Sequence, residues 1–143
     1  MPRHNTHDAH DTATLVSPRS GRSYTIRAAT PADRETLADV YLTCRRRTFT
    51  WVDASQYERP DFIEDTEGER VLVCESAGQI VGFSGVWLQH SFLHHLFILE
   101  AHQGYGAGLA LLQAAMRDIT GPVRLKCVAR NERALRFYTN WVA

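Results

Sequence analysis

The sequence predicts an α/β fold in which a mixed central sheet is flanked by helices. Three observations carry that expectation. Along the chain, strand-like runs and one-sided apolar helices follow one another as strand, one or two helices, three strands, helix, strand and helix. Ala77-Gly78 sits between two strand-forming runs, a hairpin signal that makes the middle of the sheet antiparallel. The apolar run ending at Leu99 breaks into Gln103-Gly104-Tyr105-Gly106-Ala107-Gly108 and resumes at Leu109, Leu111 and Leu112, the order of a buried strand, a glycine turn and a helix.

Residues 1–22 read as a disordered tail, polar and free of any apolar core. His4, His7 and His10 recur every third residue, but Asn, Asp, Thr and Pro around them disfavour the helix that would align them as zinc ligands. The ordered domain is expected over 23–143, beginning with a short strand at Tyr24-Thr25-Ile26-Arg27. Thr30, Pro31 and Asp33 are a helix start, with a capping side chain, proline at the first position and an acid in the first turn. Leu37, Val40, Tyr41 and Cys44 form its apolar stripe, down to about Cys44. Arg45, Arg46 and Arg47 suit the negative end of that helix as solvated surface.

Phe49, Trp51, Tyr57 and Phe62 lie in a loop-rich connection around Pro60, with a short helix expected near Asp61 to Thr66. Val71–Glu75 and Ile80–Leu88 are the hairpin strands, and Gln89–Ser91 turns the chain into the strand Phe92–Leu99. After it, Gly104, Gly106 and Gly108 leave three places in five residues where no Cβ blocks a close-approaching ligand. Leu109, Leu112, Ala115 and Met116 recur at helical spacing, so the unpaired N–H groups of the helix start fall at the glycines. An anion is the natural guest there. A Walker loop would need a lysine that is absent, and Gly-x-Gly-x-Gly is not the dinucleotide fingerprint Gly-x-Gly-x-x-Gly.

Gln103, Gly106 and Gly108 instead satisfy Gln/Arg-x-x-Gly-x-Gly/Ala, and Val123–Val128 reads as a strand followed by Asn131, Ala134, Phe137 and Tyr138. With these two motifs in this order, the chain resembles the GNAT superfamily of acetyl-CoA-dependent N-acyltransferases. The resemblance implies a GNAT-like fold with acetyl-CoA as co-substrate. It implies that Gln103, Gly104, Tyr105, Gly106, Ala107, Gly108 and Leu109 wrap the CoA pyrophosphate. Asn131, Ala134 and Phe137 would border pantetheine. If the strands Phe92–Leu99 and Val123–Val128 are parallel neighbours that splay apart, the backbone of Leu96, Phe97 and Ile98 bonds pantetheine and the acyl oxygen. Tyr138 would protonate the departing sulfur, its alternative being a core aromatic beside Phe137.

Relatives that use a carboxylate base often place it on the strand ending at Leu99, where no Asp or Glu occurs between Val86 and Leu99, so the resemblance leaves His94 as the first choice of general base, with His95 and His90 behind it. Alternation lets only one of His94 and His95 face the cleft, and a structural role for each stays open. Some relatives pass the proton to water instead. Phe49 and Trp51 are substrate-contact candidates, since the matching segment in relatives borders the acceptor site. No metal is expected at the site.

The function implied is N-acetyl transfer to a primary amine of a small molecule or peptide, the alternative being a non-catalytic acyl-CoA-binding or interaction module. Relatives continue from the tyrosine-bearing helix into two further strands, which this sequence lacks, so the expected domain is C-terminally truncated. That leaves an edge at Val123–Val128 for a partner or a second copy of the chain to cover.

Composition bounds the rest. With 143 residues the chain suits one domain, a size that buries about two-thirds of its unfolded surface. Sixteen basic residues balance sixteen acidic ones, which argues against nucleic acid as a partner. No run suits a membrane span or signal peptide. Cys44, Cys74 and Cys127 read as reduced core thiols of a cytoplasmic protein, with a nucleophilic Cys127 the less favoured reading.

Overall fold

The computed structural model describes residues 13–16, 21–125 and 131–141. Among the described residues six strands lie in the sheet in sequence order. They are β1 (Ala13–Val16), β2 (Ser23–Ala28), β3 (Arg70–Ser76), β4 (Gln79–Trp87), β5 (Phe92–Ile98) and β6 (Arg124–Leu125). Each strand from β1 to β5 runs antiparallel to its neighbour, whereas β6 is parallel to β5. The helices are α1 (Arg34–Thr48), α2 (Asp61–Asp65), α3 (Ala107–Met116) and α4 (Glu132–Trp141).

The β3–β4 turn has Ala77 at φ 53° and Gly78 at φ 77°. Two successive positive φ values match the right-handed twist of the flanking strands, which is why the short turn closes this hairpin. Both faces of the sheet are covered, so β3 and β4 read as near-continuous apolar runs rather than as an alternating pattern. On one face, Tyr24, Ile26, Leu72, Cys74, Val81 and Ile98 pack against Ala107, Leu111 and Ala114 of α3. On the other, Val73 and Phe83 meet Leu37, Val40, Tyr41 and Cys44 of α1 and Phe62 of α2. Tyr41 stands edge-on to Phe62, Phe83, His95 and Phe97, with ring centroids 5.3–6.0 Å apart. A third cluster joins Val86 and Leu93 to Leu112 and Ala115, with Phe137 and Tyr138 of α4 packed on it.

Three sequence expectations change. Ala13–Val16, expected in the tail, pairs with Ser23–Ile26 as a strand, because Thr14-Leu15-Val16 supplies the β-branched and apolar residues an added strand needs. Helix α1 runs one turn past Cys44 to Thr48, and the Phe49 N–H donates to the Arg45 carbonyl at 2.9 Å. Arg45 is not solvated surface: only 8% exposed, it bonds Asp61 at 2.9 Å and stacks on the rings of Tyr41 and Tyr57. Of the strand expected over Val123–Val128, Arg124–Leu125 is strand and Val123 precedes it, while residues 126–128, Cys127 among them, lie outside the described residues. Cys44 and Cys74 are buried free thiols, each pushed up to about 12 by burial, so both are neutral core groups.

Candidate active site

Among the described residues the parallel β5–β6 pair joins Phe92 to Arg124 and Leu93 to Leu125. From there β5 runs on towards the glycine loop, and the end of β5 and α4 border one hollow. Between them opens a cleft of about 430 Å³. Leu96, Phe97 and Ile98 of β5 line it, as do Gln103, Gly104, Gly106, Gly108 and Leu109 of the loop and α3 start, and Asn131, Ala134, Phe137 and Tyr138 of α4. The structure thus brings two motifs more than twenty residues apart to one cavity.

The loop takes its shape from Gly104 at φ 87° and Gly106 at φ 90°, in the left-handed region that glycine enters without cost. Gln103 caps the end of β5, its side-chain amide donating to the Ile98 carbonyl at 2.9 Å. Helix α3 begins at Ala107, so the N–H groups of its first turn, which have no helical partner, lie along the loop that borders the cleft. An anion is favoured there, while the apolar walls suit a slender chain running towards Tyr138. Asn131 also starts α4: its side-chain oxygen accepts the Ala134 N–H at 3.3 Å.

Tyr105 and Ala107 do not line the cleft. Ala107 is buried in the α3 core, and Tyr105 packs on that core under the Arg22 guanidinium, 4.3 Å from the ring centre. Thr48, at the end of α1, does line it. No motif marks Thr48, and a helix expected to end near Cys44 kept it from view. A second, more polar hollow of about 570 Å³ adjoins the first through Thr48, Ile98, Gln103 and Asn131, and is bordered by Thr50, Arg46, Arg47 and Glu100. Phe49 and Trp51 pack edge-on with centroids 5.5 Å apart, and Phe49 lies 6.5 Å from Tyr57; neither lines either hollow.

The two histidines of β5 depart from strict alternation. Opposite them the register slips between Gly85 and Val86, which pair with His95 and Leu93, so His94 is the extra residue of a β-bulge. Both rings therefore lie together, centroids 3.9 Å apart, against Glu69. His94 Nδ1 engages Glu69 Oε2, and its ring is not part of the cleft wall. His95 is 6% exposed and is held down to about 4 mainly by burial and then by His94, so its imidazole is neutral. His90, the third choice, stacks on Trp87.

Residues 34–141 match the model of the Acetyltransferase (GNAT) family. An aminoglycoside N(6')-acetyltransferase type 1 of Stenotrophomonas maltophilia is 35% identical over 103 residues, and the chain spans 63% of that relative's length. Among solved structures, the PaiA N-acetyltransferase of Thermoplasma acidophilum in complex with coenzyme A superposes with a TM-score of 0.67 at 16% identity, covering 82% of this chain and 87% of that one. The GNAT domain of S. lividans PAT gives 0.67 at 18% identity, over 92% and 87%. These two likenesses establish the fold.

Proposed function

The chain belongs to the acetyltransferase (GNAT) family, and from that premise we propose that it transfers the acetyl group of acetyl-CoA to a primary amine of a small molecule. One observation carries the reading: the glycine loop, the end of β5 and the Asn131–Tyr138 face of α4 border a single cleft. The 35% identity to an aminoglycoside N(6')-acetyltransferase favours a small polyamine as acceptor over a peptide.

In this reading the pyrophosphate of acetyl-CoA rests on the loop and the first turn of α3, where backbone N–H groups and the helix dipole meet its charge. Pantetheine runs between β5 and α4. Ala134 leaves room for it, since a larger side chain there would fill the cleft. The thioester oxygen accepts backbone N–H bonds from the Leu96–Ile98 segment, which stabilises the oxyanion as the amine nitrogen attacks the carbonyl carbon. The C–S bond then breaks, and the Tyr138 hydroxyl gives its proton to the sulfur. The acceptor enters as the free amine by way of the adjoining polar hollow beside Thr48 and Thr50, and its surplus proton passes to water. His94, outside the cleft wall and engaged by Glu69, has no assigned part in this route.

Acetyl-CoA consumption against a panel of aminoglycosides, simple polyamines and peptides tests the proposal. Turnover with an amine antibiotic or polyamine is expected. CoA binding without turnover of any amine would favour the non-catalytic reading. In Tyr138→Phe, kcat should fall about 100-fold with the CoA affinity held, the size expected when a general acid is removed. Unchanged kcat in that variant would remove Tyr138 from the mechanism.

A further inference from the structure

The carboxylate of Glu69 is 3% exposed, yet its Oε1 has no hydrogen-bond partner among the described residues. A buried carboxylate oxygen left unmatched is costly, and it faces two imidazoles rather than a lysine or arginine. His94 Nδ1 engages the other oxygen, and His95 Nε2 lies 3.7 Å from Oε1. The donor atoms of the three side chains all lie within 4.8 Å of one another. Gly85 on β4 is part of the arrangement, because a Cβ there would come within 2.3 Å of Glu69 Oε1 and 3.0 Å of the His95 ring. The absent side chain is what leaves space for the carboxylate over the strand.

We propose that Glu69, His94 and His95 form a binding site for one divalent transition-metal ion of the zinc class, seated where the β5 bulge meets the chain just before β3. Two imidazole nitrogens and one carboxylate suit zinc, nickel or cobalt, whereas calcium and magnesium demand oxygen ligands throughout. A tetrahedral centre with bonds of about 2.1 Å holds its ligand atoms about 3.4 Å apart, so small side-chain rotations bring the three donors to that spacing. The bulge makes the site: a regular strand would send adjacent histidines to opposite faces. The use of Nδ1 from His94 and Nε2 from His95 lets neighbours in sequence converge from different reaches. His94 is the solvent-side ligand, with its side chain 41% exposed, so a fourth coordination position opens outwards to water.

Loading the ion has a defined proton balance. It displaces the proton held between His94 Nδ1 and Glu69, which moves to Nε2 of the same ring and leaves the imidazole neutral. The Nε2–H of His95 donates to the Asp65 carbonyl at 3.2 Å, and that proton shifts to Nδ1 so that the Nε2 lone pair can bind. Asp65 itself is engaged with the Tyr41 hydroxyl at 2.7 Å and with Arg45 at 3.7 Å, and so does not compete for the ion. The proposal does not depend on acetyl transfer, and its test reads metal alone.

The full chain carrying His4→Ala, His7→Ala and His10→Ala removes the histidines of the N-terminal stretch as competing ligands. After chelator treatment this protein should bind one equivalent of Zn²⁺ by calorimetry, give visible absorption bands with Co²⁺, and melt at a higher temperature with Zn²⁺. In that background His94→Ala and Glu69→Gln should each weaken Zn²⁺ binding by at least about 10-fold, by analogy with the loss caused by removing even an outer-shell partner. His90→Ala should leave it unchanged. Cooperative melting shows that each variant is folded, and half-exposed His94 keeps one arm of the test free of core disruption. No Zn²⁺ heat from the parent, or affinity retained in folded His94→Ala, overturns the proposal.

Discussion

Asp33 shows how a single side chain ties the start of α1 to the sheet. Its carboxylate takes two bonds from the Arg27 guanidinium, at 2.8 and 3.0 Å, and one from the Thr30 N–H at 2.8 Å. Arg27 in turn reaches Glu75 on β3 at 3.0 Å. The guanidinium first, and the Thr30 bonds after it, hold Asp33 down to about 2. Because the folded value lies below the unfolded one of 3.8, its stabilisation is complete above that value and is lost as pH falls through the folded value. It amounts to about 2 kcal/mol at neutral pH. Urea unfolding of wild type and Asp33→Asn should therefore differ most above about pH 5, with the gap closing towards about pH 2. Helix-start chemistry at Thr30, Pro31 and Asp33 was legible in sequence, because capping is local. The distant partners of Arg27 and Arg45 were not: Glu75 and Asp61 lie 48 and 16 residues from the arginines they meet.

At the scale of elements, β5 carries the most consequence per residue. Its bulge sets His94 and His95 side by side, and its last three residues form one wall of the cleft. Its backbone is held from below by β4. A Cβ at Gly82 would lie 2.4 Å from the Phe97 carbonyl oxygen and 2.5 Å from Ile98 Cδ1. Gly82→Ala should cost about 1–3 kcal/mol in chemical denaturation, as overpacking does, and should also weaken CoA binding by shifting Phe97 and Ile98. Gly104→Ala is the contrast. Nothing lies within 4 Å of its Cβ position, but φ is 87°, so the expected cost is the conformational one alone, about 1–2 kcal/mol. The glycine spacing made the loop readable from sequence, as did the hairpin at Ala77-Gly78. The bulge left no such mark, because it arises from the register between two strands, and the extra turn of α1 was hidden by the change from apolar to basic residues at Arg45.

For the whole molecule, two apolar layers close over the sheet and leave the β5–α4 cleft as a break in its surface where distant segments converge. A ligand that bridges β5, the loop and α4 binds only the folded chain, so acetyl-CoA should raise the melting temperature. At about 100 times its Kd the gain is about 2.7 kcal/mol, or about 5–10 °C for a domain near this size; thermal shift with CoA against ATP and NAD as controls measures it. The sequence by itself determined the class of fold, the order of its elements from β2 onwards and the pairing of a glycine loop with a downstream Asn-x-x-Ala-x-x-Phe-Tyr helix, since these rest on periodicity and on short-range spacing. Only the tertiary structure decided that Ala13–Val16 joins the sheet, that Tyr105 and Ala107 turn from the cleft while Thr48 enters it, and that both histidines converge on Glu69. Those outcomes depend on strand register and on contacts between residues far apart in the chain, where one residue of slip changes which way a side chain faces.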